Sequence, residues 1–307
     1  MSFHVPASFQ TMYKNNVEMV LNQQQSKLLG AVEVTDDKSA EKIKVKDLVG
    51  NTKPNEATER HGDTKWNNTP HDGVWLPKKP ELYYADIVDN ADQLQTGIDL
   101  QGTYTTSGAG TIQRAHDQRI LEGFFADVIS GKEGTVVTPL PAGQVVAVDT
   151  GAGAATGMNV AKLRAANKKL AQSHADLTEQ RFMILTAEQS DDLLSEIPAT
   201  SADFKQAFGG EVRDGFLTRL LGWNFIHVEL ANSMLGPVAD LTLDGNGYRK
   251  NPFWVKSGVR ANFWQRTRPH IGVLPMKEFN TGVFVGTTLA ATRTQAGKSG
   301  YILNLEP

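Results

Sequence analysis

Hydrophobic and polar positions change period several times along this chain, and each change marks an element. Phe9, Tyr13, Val17, Val20, Leu21 and Leu28 fall near one face at helical spacing, with Asn, Gln and Lys on the other. An amphipathic helix is therefore expected over 8–30, capped by Ser8 and stopped by Gly30. Ile43, Val45 and Leu48 then alternate with Lys44, Lys46 and Asp47, the period of a half-exposed strand, and a second strand-like run follows at 81–88. Between them, 51–80 carries Pro54, Pro70, Pro77, Pro80, Gly62, Gly73 and many charges, with few apolar residues. Two strands flanking a long polar tip read as a projecting hairpin whose tip enters no core.

Residues 107–130 are expected to form a long helix, capped by Ser107 and stopped by Gly131. Ile112, His116, Ile120, Phe124 and Val128 make one stripe, with Leu121, Phe125 and Ile129 beside it. Gly123 interrupts this helix, which points to close packing or a bend. Short strands follow at 136–140 and 145–148, then a helix over 159–175, a strand at 181–185 and a helix ending before Pro198. Thr186-Ala187-Glu188-Gln189 reads as a capping box at the start of that last helix. A short helix at 202–208 and a strand at 225–230 come next. The last third is β-rich around Phe253, Trp254, Phe263 and Trp264, with final strands at 283–289 and 301–305. The class is α+β.

Composition narrows the function. The 307 residues carry a net charge of −3, so no global attraction draws the chain to nucleic acid or an anionic membrane. There is no cysteine, which excludes disulfides, thiolate nucleophiles and thiolate-bound zinc. The first 25 residues have no basic start followed by an apolar run, so no secretory signal is expected, and no segment has the roughly 18 apolar residues of a membrane helix.

Several patterns invite chemistry. Gly151-Ala152-Gly153-Ala154-Ala155-Thr156-Gly157 lies between a strand and a helix, where backbone N–H groups can face a pyrophosphate. Asp149 and Thr150 separate it from the strand, and Glu188 lies well beyond the roughly 20-residue spacing of a ribose-binding acid. A flexible connection is the ordinary reading. Gly297-Lys298-Ser299 has Thr292 where a phosphate loop needs glycine. His61, Asp63, His71 and Asp72 are metal-ligand types placed in a polar loop, where solvated turns are the common explanation. Catalytic residues, cofactor and metal are all expected to be none. Lys162, Arg164, Lys168 and Lys169 crowd one helix as a basic patch able to meet phosphate, without interleaved aromatics. Trp66 and Trp75 sit inside the polar projection, where large aromatics call for burial against another surface.

The element order is an arm helix, a projecting hairpin, a long helix, an α/β lobe and closing strands. That order resembles the major capsid protein of tailed bacteriophages, the Hong Kong-ninety-seven type of shell fold. Arg114-Ala115-His116-Asp117-Gln118-Arg119-Ile120-Leu121-Glu122-Gly123 looks like the family's spine helix. Lys162 to Leu170 with Arg181-Phe182-Met183-Ile184-Leu185-Thr186 looks like its axial helix and strand, and Leu289-Ala290-Ala291-Thr292-Arg293 like its C-terminal return. The resemblance implies an N-terminal arm (1–41), an extended loop (42–94), a peripheral domain with the spine helix (95–157, completed by 280–307) and an axial domain (158–279). It implies a structural, non-enzymatic shell of pentamers and hexamers enclosing double-stranded DNA, and partners that include a portal at one vertex, scaffolding and decoration proteins, but no membrane. It places the chain in the virion, assembled in the bacterial host cytoplasm. Trp66, Trp75, Lys53, Arg60 and Lys65 of the loop, with Phe9 and Tyr13 of the arm, become candidate inter-subunit contacts. Lys162, Arg164, Lys168 and Lys169 become the candidate DNA-facing patch. Two rivals stand beside it: an encapsulin-like bacterial nanocompartment shell, and a nucleotide-cofactor enzyme using Gly151–Gly157.

Overall fold

A computed structural model describes residues 25–38, 40–50, 52–56, 60, 63–88, 100–176, 178–196, 211–213, 216–228 and 241–306. In chain order its strands are β1 (Glu33–Thr35), β2 (Lys42–Val49), β3 (His71–Pro77), β4 (Leu82–Val88), β5 (Val128–Ser130), β6 (Val136–Thr138), β7 (Val145–Val146), β8 (Arg181–Leu185), β9 (Glu211–Arg213), β10 (Phe216–Leu220), β11 (Trp223–His227), β12 (Tyr248–Val255), β13 (Val259–Leu274), β14 (Asn280–Arg293) and β15 (Ser299–Leu305). The helices among the described residues are α1 (Leu100–Phe125), α2 (Val160–Gln172) and α3 (Ala187–Glu196). The expected helix at 202–208 and nearly all of that at 8–30 lie outside the described residues. Gly30 sits in a single 3-10 turn, Leu29–Ala31.

Strand period 2 explains the centre of the molecule. In β8, Met183 and Leu185 face one core while Phe182 and Ile184 face another. Phe253 and Val255 of β12 join the first, and Trp254 joins the second. The sheet β7-β15-β12-β8-β11-β10-β9 is thus buried on both faces at its middle strands, which is why β8 reads as the apolar run Phe182-Met183-Ile184-Leu185. Leu163, Ala166 and Leu170 of α2 and Leu193 of α3 cover one face. Ile120, Leu121 and Phe124 of α1 complete the other, with the Phe124 and Trp254 rings 5.7 Å apart.

A second sheet, β1-β13-β14-β4, lies against α1. Gly123 is what lets them touch: a Cβ there would overlap the Ala291 carbonyl of β14. The interruption noted in the sequence is therefore a close approach. His116, also on this face, sets Nε2 3.1 Å from Thr287 Oγ1 and packs edge-on against Phe263.

Strands change sheet twice late in the chain. The chain crosses between the two sheets at the 3-10 turns Lys256–Gly258 and Ala296–Lys298. β13 therefore lies in the sheet beside α1, whereas β15 pairs with β12. The crossings are strapped together: Thr294 N donates to Gly258 O (2.9 Å), and Lys298 Nζ to Ser257 Oγ (2.7 Å).

The projecting hairpin also has a different partner. β2 pairs with β3, not with 81–88, and β4 instead extends the α1 sheet beside β14. Val74 and Leu76 of β3 are buried with Val45, Trp264 and Ala290, so the stretch 51–80 does contribute to a core. The sequence pattern misled because only 52–70 is polar; β3 carries the apolar run Val74-Trp75-Leu76.

The segment before β1 is stitched to all of this. Asp117 of α1 accepts from Ser26 Oγ (2.5 Å), Lys27 N (3.0 Å) and Leu28 N (3.1 Å). Lys27 Nζ donates to His227 O (2.7 Å), and Trp254 Nε1 to Ala31 O (2.9 Å).

Two outcomes follow. Gly123→Ala gains helix propensity but must push α1 off β14, so a net loss of about 1–2 kcal/mol is expected by denaturant unfolding; an unchanged or raised midpoint would show slack at this contact. Burial pushes His116 down to about 4, so it stays neutral in the fold while the unfolded residue takes a proton near 6.5. Its contribution is complete above pH 6.5 and falls away towards pH 4, by about 3 kcal/mol in all. His116→Gln should flatten that part of the stability–pH curve relative to wild type.

Candidate assembly surface

Among the described residues, the projection beyond β2 and β3 carries no strand pairing. Gly50 N donates to Pro70 O (2.8 Å) and closes its base. Beyond that, 52–56 and 63–69 are clipped by side chains: Asn55 Nδ2 donates to Lys65 O (2.8 Å) and Asn67 Oδ1 (2.9 Å), and Asn67 Nδ2 to Lys53 O (3.0 Å). Proline and glycine deny this stretch regular pairing, so two asparagine amides hold its arms together. Trp66 stands 89% exposed on it, and Lys53, Arg60 and Lys65 are exposed alongside.

Trp75 is different, and its expected exposure in the lone subunit needs correcting. It lies half-buried in β3, with Nε1 donating to Gly131 O (2.8 Å) and Lys44 Nζ 6.0 Å from the ring centroid. Gly134, at φ +68, brings backbone against the ring where a Cβ would stand 2.9 Å away. The β5–β6 turn thus clamps Trp75 within its own chain. Asp72 reinforces the clamp, its Oδ1 accepting from Gly73 N (2.8 Å) and Gly131 N (2.7 Å). Gly131 is accordingly a turn residue with φ +96, and α1 already ends at Phe125. Of the other metal-type residues, Asp63 and His71 are exposed, and His61 lies outside the described residues, as do Phe9 and Tyr13.

The structure adds a surface the sequence reading missed. The far end of the β13–β14 hairpin exposes Val273, Met276 (96%) and Phe279, and β4 exposes Tyr83, stacked 5.6 Å from Phe284. Glu278 and Phe279 both take positive φ in the hairpin turn, a strained choice for a bulky residue. The signal was present in 271–279, where apolar residues run into a turn.

The basic patch does not hold together. Lys162 is fully buried. Its Nζ donates to Thr156 O (2.7 Å), Gly157 O (2.8 Å), Leu303 O (3.0 Å) and Asn304 Oδ1 (3.1 Å). Burial pushes its pKa down to about 8, partly offset by Asp192 and Asp149. The reason is helical phase: Lys162 is four and eight residues before Ala166 and Leu170, on the inward stripe. Arg164 and Lys168 are exposed, while Lys169 Nζ donates to Gly143 O (2.7 Å). The glycine-rich loop offers no pyrophosphate cradle either. At the start of α2, Val160 N donates to Glu196 Oε2 (2.8 Å), Met158 N to Asp192 Oδ2 (3.0 Å) and Lys162 N to Asn159 Oδ1 (2.8 Å). Carboxylates occupy the place a phosphate would take.

Large apolar groups left outside on a well-packed subunit mark surfaces that meet other molecules. The chain matches the phage capsid protein family over residues 5–306 and belongs to that family. A search of curated proteins returns no match in sequence. In structure, the chain resembles the capsid of cyanophage P-SCSP1u (TM-score 0.68, 11% identity, covering 97% of this chain and 94% of that one). It also resembles the capsid of Ralstonia phage GP4 (TM-score 0.68, 10% identity, 100% and 98% covered). The mature capsid of bacteriophage PhiM1 is similar too (TM-score 0.65, 11% identity, 94% and 90% covered). The fold is that of tailed-phage major capsid proteins, and the chain is a major capsid shell protein of the virion, with a structural role. Neither the nanocompartment nor the cofactor-enzyme reading is favoured. Among the described residues, no helix is long and apolar enough to cross a membrane.

The two tryptophans should separate in a stability assay. Trp75→Ala is expected to cost about 2 kcal/mol in the unassembled subunit, through lost packing and the hydrogen bond to Gly131. Trp66→Ala should change it by less than about 0.5 kcal/mol. Equal costs, measured by denaturant unfolding, would contradict this assignment.

Proposed function

We propose that this major capsid protein tiles as pentamers and hexamers into the icosahedral head of a tailed bacteriophage around double-stranded DNA. Each projection laps a neighbouring copy, with Trp66 as the anchor and Lys53, Arg60 and Lys65 around it; Phe9 and Tyr13 join from the arm. The observation that carries this reading is Trp66, an aromatic left almost wholly in water on an arm clipped into shape by Asn55 and Asn67. Full burial of such a side chain is worth roughly 1.5–3 kcal/mol, and a closed shell collects that gain at every subunit. Arg164 and Lys168, the exposed members of the basic helix, meet packaged phosphate non-specifically. A portal at one vertex, scaffolding and decoration proteins and assembly in the host cytoplasm complete the proposal.

Purified protein should form closed or tubular particles by light scattering and electron microscopy. Trp66→Ala should lower the denaturant concentration at which particles fall apart while leaving subunit unfolding in place. Removal of 52–69, which spares Val74 and Leu76, should give a folded subunit unable to form stable shells. A wild type that stays monomeric at high concentration, or a 52–69 deletion that assembles normally, would overturn the reading.

A further inference from the structure

The glycine-rich loop 151–157 and the buried Lys162 are absorbed by neither the shell reading nor any nucleotide chemistry, yet both close on one strand. Along one edge β15 is fully paired with β12, Tyr248 to Trp254 facing Leu305 to Ser299. Along the other, β7 reaches only Tyr301 and Ile302. Past that point the loop takes over from a strand. Leu305 N donates to Thr156 O (3.0 Å), and the Lys162 ammonium joins Thr156 O and Gly157 O of the loop to Leu303 O and Asn304 Oδ1 of β15. Beneath, Glu306 is locked by Arg249 Nε (2.7 Å) and Thr186 Oγ1 (2.9 Å), and Asn304 Nδ2 donates to Asn251 Oδ1 (2.8 Å).

The loop is shaped for this position. At Gly151, φ is +98, and a Cβ would stand 2.6 Å from Ala161 Cβ; at Gly157 a Cβ would overlap the Asp192 carboxylate. Its first residues, 151–154, are exposed. Thr156 N donates to Val148 O (3.2 Å) and Asn159 Nδ2 to Thr150 O (3.0 Å), which fix the loop to its own base, while one backbone hydrogen bond and the Lys162 ammonium join it to β15. A segment joined to a buried strand by so few groups can part from it locally.

β15 matters beyond its own sheet because the turn Ala296–Lys298 leads into it from β14. That turn lies against Gly258, where a Cβ would meet Lys298 O at 2.8 Å. Slippage of β15 pulls on this crossing and so on the β13–β14 hairpin, which carries Met276. We propose that loop 151–157 and Lys162 form a clasp over β15, and that a subunit enters the shell only with the clasp shut. The link to assembly rests on the shell reading; the clasp itself does not.

The test uses the full chain as wild type, Lys162→Met and Gly157→Ala, the second shifting the loop at its contact with Asp192 while keeping the Lys162 side chain. Hydrogen exchange should speed up at least tenfold in both variants at the amides of 303–305, with those of 112–124 in α1 unchanged. Particle yield at matched concentration should fall about tenfold. Unchanged exchange at 303–305 in both variants would remove the clasp. Faster exchange throughout α1 as well would make these residues general supports, with no local device. Faster exchange with full particle yield would sever the clasp from assembly. A wild type that makes no particles sinks the shell reading instead, while its exchange data still report on the clasp.

Discussion

The constraint on which the molecule depends is that β8 and β12 are buried on both faces. A strand in that position has no polar side to offer, so helices must cover it above and below. α2 and α3 take one face and α1 the other, and Trp254 meets α1 through Phe124 on its ring and the turn before β1 through Ala31 O on its indole nitrogen. Once α1 is placed, Gly123 brings β14 to within backbone contact, and the long hairpin follows. The remaining architecture is the extension of those strands outward.

Polar groups show the same logic inverted. Arg249, Glu306, Asn251, Asn304, Gln189 and Lys162 are taken inside, and the hydrogen bonds among them and to nearby carbonyls keep their burial from being ruinous. Meanwhile Trp66 and Met276 are left in water. For a subunit acting alone this would waste apolar surface. For one whose outer faces are completed by other copies, it keeps association energy out of the fold and available between chains.

Local pattern revealed much of this, and the failures have physical causes. The strand at 181–185, the helix beginning at Asn159 and the return arm of the capping box, Gln189 Oε1 accepting from Thr186 N (3.1 Å), were legible because each depends on near neighbours. The partner of β2 was not, because both 71–77 and 81–88 offer short apolar runs and only long-range packing chooses between them. The change of sheet between β12 and β13 and between β14 and β15 was not legible, since nothing local marks Lys256–Gly258 or Ala296–Lys298 as crossings. Lys162 was grouped with its neighbours by charge, when its spacing to Ala166 and Leu170 already placed it inside. Trp66 and Trp75 looked equivalent in composition; only the glycines at 131 and 134, far along the chain, tell them apart.

The stitching at residues 26–35 has a mechanical meaning. A pull arriving at Ser26 from upstream does not peel one strand. It divides at once between the middle of α1 through Asp117, the seven-stranded sheet through His227 O and Trp254, and the second sheet through the pairing of β1 with β13. Tension is thereby turned into shear across many hydrogen bonds acting together, the geometry in which such bonds bear load best.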